Sequence, residues 1–283
     1  MPCTPFDGAL VWLQDGRNRN IFRRKGMTIL ITNDDGIYAE GIYALAAEMK
    51  KVGDIVVVAP DSERSSVGHG ITLSHPIWYK TVRRKETFFG YAISGTPADC
   101  VKFAMKVILK KKPDLVVSGI NLGGNDGCSV FYSGTVAGAR EGAFSGIPSL
   151  AVSLDTFVNP DFRTAAKVAR GVARDVLKRG LPPGTFLNIN VPALPAGEIK
   201  GVRATRQCLL PIDGTFRKRQ DPSGRTYYWM SGRAPRTDRT LDVDTSALKE
   251  KYITICPVQC DLTDDRTFEN MRGWNFDCIL KNL

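Results

Sequence analysis

The sequence predicts an α/β protein with a doubly wound, mostly parallel sheet and a C-terminal β-hairpin or arm extension. Three observations lead there. Short runs rich in Val and Ile alternate with amphipathic, helix-like segments. The first of those runs is apolar at successive rather than alternate positions, as in a parallel strand covered by helices on both faces. After Pro192 the alternation gives way to short β-like pieces separated by Gly, Pro and charged turns.

Taken in order, Met27–Thr32 is the first predicted strand of the core and Asp54–Ala59 (DIVVVA) the second. Between them, AEGIYALAAEMKKVG has the apolar spacing and closing glycine of an amphipathic helix, completing a βαβ unit. The stretch 77–94, with IWYKTV and FFGYAIS, reads as a hairpin. Pro97–Lys112 then reads as helix, Asp114–Ser118 as strand, Ser133–Ser145 as helix, Ser149–Ser153 as strand, Asp161–Arg179 as helix and Phe186–Asn190 as strand. EIKGVRATRQ, RTYYWMSG and YITICPV are the β-like pieces of the arm. The chain divides into an N-terminal extension over 1–26, expected to be disordered, an α/β core over 27–192 and a basic, β-rich arm over 193–283.

With 283 residues, 43% hydrophobic and 24% charged, the composition is that of a soluble globular domain. No run approaches the roughly 18 consecutive apolar residues of a membrane span. The apolar ALVWL near the N-terminus is too short for a secretory signal, and Asp7 precedes it where basic residues belong. None of the seven cysteines forms a C-x-x-C pair, which predicts free thiols in a reducing, cytoplasmic setting. Histidine-based zinc is disfavoured because the chain has only His69 and His75. The net charge of +10 is concentrated: residues 200–240 hold ten Lys/Arg against three Asp. Such a field favours phosphates, nucleotides or nucleic acid as partners, or is simply a solvated basic face.

Ligands of open α/β sheets gather beyond the carboxyl ends of the strands. After the first core strand comes ILITNDDG, which ends in the adjacent acids Asp34 and Asp35. Two neighbouring carboxylates at the end of a buried strand need a positive partner or solvent, or else they cap a helix turn. The second strand leads into PDSERSSVGHG, with Asp61, Ser62, Arg64, Ser65 and Ser66. The strand at 114–118 leads into GINLGGNDG, with Asn121, Asn125 and Asp126. If the three loops converge, they offer carboxylates, hydroxyls and amide oxygens without a soft ligand, a set suited to Mg²⁺ or Mn²⁺, with Ca²⁺ also compatible. In YSGTVAGAREG, Ser133, Gly134 and Thr135 stand where a helix begins, either as an anion cradle or as an ordinary N-cap with small residues for close packing. A hard cation beside an anion cradle points to phosphoryl chemistry.

The motifs ILITNDDGIYAEGI, VVVAPDSERSSVGHGIT, SGTPADCV, PDLVVSGINLGGN, YSGTVAGAREGAFSGIPSLAVS and LNINVP follow one another in register from 29 to 192. In these the chain resembles the SurE nucleotidases (survival protein E), metal-dependent phosphatases of nucleoside monophosphates, and the likeness runs in register from Met27 to roughly Pro257. The resemblance implies a Rossmann-like domain and one divalent cation per subunit, Mg²⁺ or Mn²⁺, held by Asp34, Asp35, Ser65 and Asn121. It implies phosphate contacts from Asn125, Ser133, Gly134 and Thr135, and hydrolysis of 5′- and 3′-nucleotides, in some members also of short polyphosphate. It further implies a homodimer or homotetramer built partly through C-terminal elements, here within 193–283.

The match has gaps. Leu122 replaces the arginine of the family's INRGxN, and VDTSAL (243–248) keeps Asp244 but has Ser246 where a histidine often stands. The expected mechanism is attack of an activated water on phosphorus, with Asp34 or Asp35 nearest to take its proton. SGTPADCV reads as architecture, with Pro97 in the first helical turn, and His69 and His75 as incidental. No membrane and no stable nucleic-acid partner are expected. Two alternatives stand beside this reading. A Mg²⁺-binding phospho-receiver needs an Asp at the end of a central strand, where Ser118-Gly119 stands instead. A nucleic-acid binder would use the basic arm.

Overall fold

The computed structural model describes residues 10–13, 21–24, 26–211, 213–233 and 240–280. Within the N-terminal extension, β1 (Leu10–Leu13) and β2 (Ile21–Arg24) pair antiparallel as a two-stranded ribbon. Most of the disorder expected for 1–26 falls outside the described residues.

The core elements follow in the predicted alternation. They are β3 (Thr28–Thr32), α1 (Glu40–Met49), β4 (Asp54–Pro60), β5 (Tyr79–Arg84), β6 (Thr87–Ile93), α2 (Pro97–Phe103), β7 (Leu115–Leu122), α3 (Gly134–Phe144), β8 (Ser149–Asp155), α4 (Arg163–Arg179) and β9 (Thr185–Pro192). Beyond them come β10 (Gly201–Ala204), β11 (Asp213–Gln220), β12 (Thr226–Arg233), α5 (Asp244–Lys249), β13 (Tyr252–Gln259), α6 (Asp265–Met271) and α7 (Asp277–Leu280). Nine strands form one sheet in the order β10-β13-β9-β8-β7-β3-β4-β6-β5. Its pairings are parallel except that β5 runs against β6 and β13 against β9.

The consecutive apolar residues of β3 serve both faces. Ile29 and Ile31 pack with Ile42, Leu45 and Met49 of α1 and with Ala166 and Ala169 of α4. Leu30, between them, packs on the other side with Cys100 and Val101 of α2 and Val116 of β7. Each such side chain taken out of water contributes about 2 kcal/mol.

Helix α2 begins as predicted, with Pro97 in its first turn and a capping box between Thr96 and Asp99. It passes into a π-helical turn over Ala104–Ile108 and ends there, short of Lys112. Lys110, Lys111 and Lys112 have no apolar face to bury, and Pro113 disfavours the helical conformation for the residue before it. Strand β7 corrects a second boundary. It continues past Ser118 to Leu122, because β8 pairs with it as far as Asn121↔Ser153 and Leu122↔Leu154. The glycine and asparagine that suggest a loop lie in a strand.

Of the pieces beyond Pro192, β10 and β13 extend the main sheet, and β11 and β12 pair with each other as a separate hairpin.

Candidate functional site

The carboxyl edge of β3 is shaped by a tight turn. Asn33 is fully buried and its Nδ2 donates to the Gly36 carbonyl at 2.9 Å. Gly36 sits at φ +93°, a conformation that favours glycine, and a Cβ there would lie 3.2 Å from the Ser62 carbonyl carbon. Beyond this turn Asp34 and Asp35 are supported from different elements. The Asp34 side chain accepts from the Thr135 hydroxyl and from the Thr135 N–H at the start of α3. Asp35 Oδ2 accepts from the Leu122 N–H at 3.2 Å, at the end of β7.

The second loop joins them through its backbone, where the Arg64 N–H donates to the Asp34 carbonyl at 2.8 Å. Ser65 beside it is exposed, and its hydroxyl donates to Glu63 Oε1 at 2.6 Å. In the third segment, Asn121 Nδ2 is committed to the Gly123 carbonyl at 2.7 Å, leaving Oδ1 as the end able to coordinate. Asn125 is knit into β8 and β9. Its N–H donates to Asn190 Oδ1 at 2.7 Å, its Nδ2 donates to Ser153 Oγ at 3.0 Å, and its carbonyl accepts from Asn188 Nδ2 at 2.7 Å.

Helix α3 closes the site. Ser133 is its N-cap, with Oγ accepting from the Val136 N–H at 3.1 Å. Gly134 allows the helix to touch Asp34: a Cβ there would lie 2.7 Å from the Asp34 Cβ. One turn on, a Cβ at Gly138 would meet Ser118 Oγ at 2.7 Å and Thr32 Cγ2 at 2.8 Å. The glycines of YSGTVAGAREG therefore lay the helix directly on β3 and β7, and its first turn directs donors at a carboxylate.

The acids carry the electrostatic cost of this arrangement. Burial pushes Asp34 up from the ordinary carboxylate range, and the Thr135 hydroxyl opposes the shift. Asp35 is pushed up to about 7, first by burial and then by the charge of Asp34. Among the described residues neither is ion-paired with a basic side chain, and Glu63 adds further negative charge. No group of three or more His, Cys, Asp or Glu is placed to hold a metal among the described residues. The oxygens on offer are two carboxylates plus the neutral donors of Asn121 and Ser65, which fits a hard divalent cation.

Two residues at this edge, Asn188 and Asn190, escape a reading of the sequence. Asn188 and Asn190 are fully buried at alternate positions of β9, and two amides on one face of an apolar strand are the signal that marks them. Asp126 is pushed up to about 6 by burial and by the nearby Asp244 and Asp155. Asp244 is fully buried and accepts from the N–H groups of Gly127, Cys208 and Thr245 at 2.9, 2.9 and 2.8 Å. Its presence is thus accounted for by support of the loop after β7.

Acids at the carboxyl end of a central strand, with a helix N-terminus on one of them and amide-bearing loops nearby, stand at the edge where open α/β sheets hold their ligands. The family model described as Survival protein SurE matches residues 29–211. The 5′-nucleotidase SurE of Chlorobaculum tepidum is 46% identical over 253 residues, 89% of this chain and 96% of that protein. The 5′-nucleotidase SurE of Thermosipho melanesiensis is 46% identical over 245 residues, 87% of this chain and 96% of that protein. The crystal structure of the SurE protein from Aquifex aeolicus superposes with a TM-score of 0.77 at 39% identity, covering 87% of this chain and 98% of that one. This chain belongs to the SurE family.

Proposed function

We propose that the chain is a divalent-metal-dependent 5′-nucleotidase that releases phosphate from nucleoside 5′- and 3′-monophosphates and from short polyphosphate. The observation that carries this reading is the pair of adjacent acids, Asp34 buried beneath a helix N-terminus and Asp35 half-buried beside it, without a basic partner among the described residues. It occurs in a chain about 46% identical to proteins named 5′-nucleotidase.

Asp34, Asp35, Asn121 and Ser65 are the residues to hold Mg²⁺ or Mn²⁺. When bound, the cation supplies polarisation of a phosphoryl oxygen and acidification of the attacking water. The protein's own contribution is placement. Thr135 and the Leu122 N–H orient the two carboxylates from different elements. The first N–H groups of α3 provide a positive field on the phosphate side of the acids, with Gly134 letting the helix start lie against Asp34. Asn125, held by Asn188, Asn190 and Ser153, keeps the third loop at the phosphate side. Asp34 or Asp35 is the nearest carboxylate to accept the proton of the attacking water.

The same reading includes a cytoplasmic homodimer or homotetramer. Supporting it, Cys100, Cys128, Cys208, Cys256 and Cys260 are free thiols, and no helix among the described residues is long and apolar enough to cross a membrane. The β11–β12 hairpin exposes Phe216, Tyr228 and Met230 on one face and Trp229 on the other, large apolar side chains of the kind found at contact surfaces.

The test is phosphate release from a panel of nucleoside monophosphates and tripolyphosphate with Mg²⁺, Mn²⁺ or EDTA. Release that depends on the cation and ceases with EDTA is expected. Nucleic-acid binding that survives EDTA, with no phosphate release, would replace this reading by the nucleic-acid one. The receiver alternative loses further ground because β7 ends in Asn121-Leu122, again without an aspartate.

A further inference from the structure

The loop that carries Ser65 is fastened at both ends, and the distal fastening uses polar groups outside the site described above. Glu141, on α3 two turns beyond Thr135, is buried at 4% exposure. Its carboxylate takes His69 Nε2 at 3.0 Å on one oxygen and Lys102 Nζ of α2 at 2.7 Å on the other. These contacts hold Glu141 below the ordinary range, so it is ionised. Around His69 the loop backbone is tied again. The Gly68 N–H donates to the Tyr132 carbonyl at 2.9 Å, just ahead of α3. The Thr96 hydroxyl donates to the Gly70 carbonyl at 2.7 Å, and Asp99 accepts from the Thr72 N–H at 3.0 Å and the Thr72 hydroxyl at 2.6 Å. At the proximal end stands the Arg64 N–H bond to the Asp34 carbonyl. The intervening Ser65, Ser66 and Val67 are exposed, and Ser66 is at φ +58°, so local packing does little to define Ser65.

We infer that the His69–Glu141–Lys102 cluster is a positioning device that holds the Ser65 loop against the two acids. His69 and Glu141 are positioning residues that touch neither substrate nor cation. Helix α3 is the common part: its first turn grips Asp34 and its second half grips His69, so one rigid element sets the spacing between Asp34 and Ser65. The buried Asp99 of SGTPADCV does the same work from α2, which gives that motif a role beyond capping its own helix. This inference rests on the reading of Ser65 as a cation ligand.

The test uses His69→Ala, with His69→Gln as the rescue that keeps a side-chain donor for Glu141, and Glu141→Gln as an independent disruption. Three quantities are read on the full chain: Mn²⁺ affinity by titration calorimetry, hydrogen exchange over 61–72, and kcat and KM with a nucleoside monophosphate. For His69→Ala, Mn²⁺ affinity is expected to fall about 10–100-fold, as when an outer-shell partner of a metal site is lost. Exchange over 61–72 is expected to rise, while exchange in β3, β7 and β8 stays unchanged, and kcat to drop more than KM rises. His69→Gln should recover most of the loss. Unchanged Mn²⁺ affinity and unchanged loop exchange in a folded His69→Ala protein would overturn the proposal. Should His69→Ala not fold, parental values of both quantities in Glu141→Gln would overturn it equally. Failure of the cation reading looks different. There Asp35→Asn leaves Mn²⁺ binding intact, whereas the loop exchange of His69→Ala still reports on the latch.

Discussion

The carboxyl edge of β3 and the β11–β12 hairpin treat polar and apolar groups in opposite ways. At the edge, Asp34, Asn125, Thr135, Asn188, Asn190 and Asp244 are buried, and each is bonded to a residue from a different element. In the hairpin, large apolar side chains stand in solvent, with Trp229 at 62% and Phe216 at 67% exposure, beside Arg217, Lys218 and Arg219. The edge is over-determined by long-range hydrogen bonds, so a change there propagates through the sheet. The hairpin is held by its own ladder, so a change there stays local. Chemistry that needs groups placed to a fraction of an ångström belongs at the first kind of region; contact with another molecule suits the second.

The sharpest way to break the comparison is Asp35→Asn. Several kcal/mol of transition-state stabilisation are lost with a cation site, so kcat/KM should fall on the order of 10³-fold or more while circular dichroism stays native. Activity within about tenfold of the parent, some 1.4 kcal/mol, would show that Asp35 is not a ligand.

Gly134→Ala comes next. A methyl at that position meets Asp34 2.7 Å away, so the helix start must retreat from the carboxylate. A loss of about 10²-fold in kcat is expected, at the scale of removing one electrostatic donor, with a melting temperature lowered by several degrees. An active, equally stable variant would mean that α3 does not serve the site.

A smaller effect is expected of Asp126, and it is one of stability. Its pKa is about 6 in the fold against 3.8 ordinarily, so the folded protein binds more protons than the unfolded chain between those values. Asp126 therefore contributes stability that is complete below about pH 4 and lost as pH rises through 6. Asp126→Asn should raise the melting temperature at about pH 8 by a few degrees and leave it unchanged at about pH 4. Equal shifts at both pH values would rule out titration of Asp126 as the cause.

Least of all should the hairpin matter to the chemical step. Trp229→Ser is expected to leave kcat per subunit within about twofold and to weaken self-association, read by light scattering across a dilution series. A collapse of kcat in a protein whose association state is unchanged would show that hairpin and edge are coupled after all.

How far each region is legible in the sequence follows from the range of its interactions. The strands and helices of the core carry local signals: consecutive Ile and Leu in β3, the Pro97 start of α2, the N-cap Ser133. The acids are visible because like charges side by side after an apolar run are anomalous in one dimension. The end of β7 is not visible, since Gly119 through Asn121 are strand residues only because β8 lies alongside. His69 is equally opaque. A histidine in a polar loop has no local mark of its attachment to Glu141, a residue 72 positions away. Thr135 reads in the sequence as a phosphate contact, yet in the fold its hydroxyl faces Asp34, 101 residues earlier.

Periodicity, capping residues and paired charges are properties of neighbours along the chain, and from them alone come the α/β class, the order of the core elements and the edge at which ligands gather. Which oxygens are turned inward, how close α3 comes to Asp34, and that β10 and β13 join the main sheet while β11 and β12 leave it were settled only by tertiary structure. Those features depend on contacts between residues scores of positions apart, where loop-closure entropy and packing select one arrangement from many that the same local preferences allow.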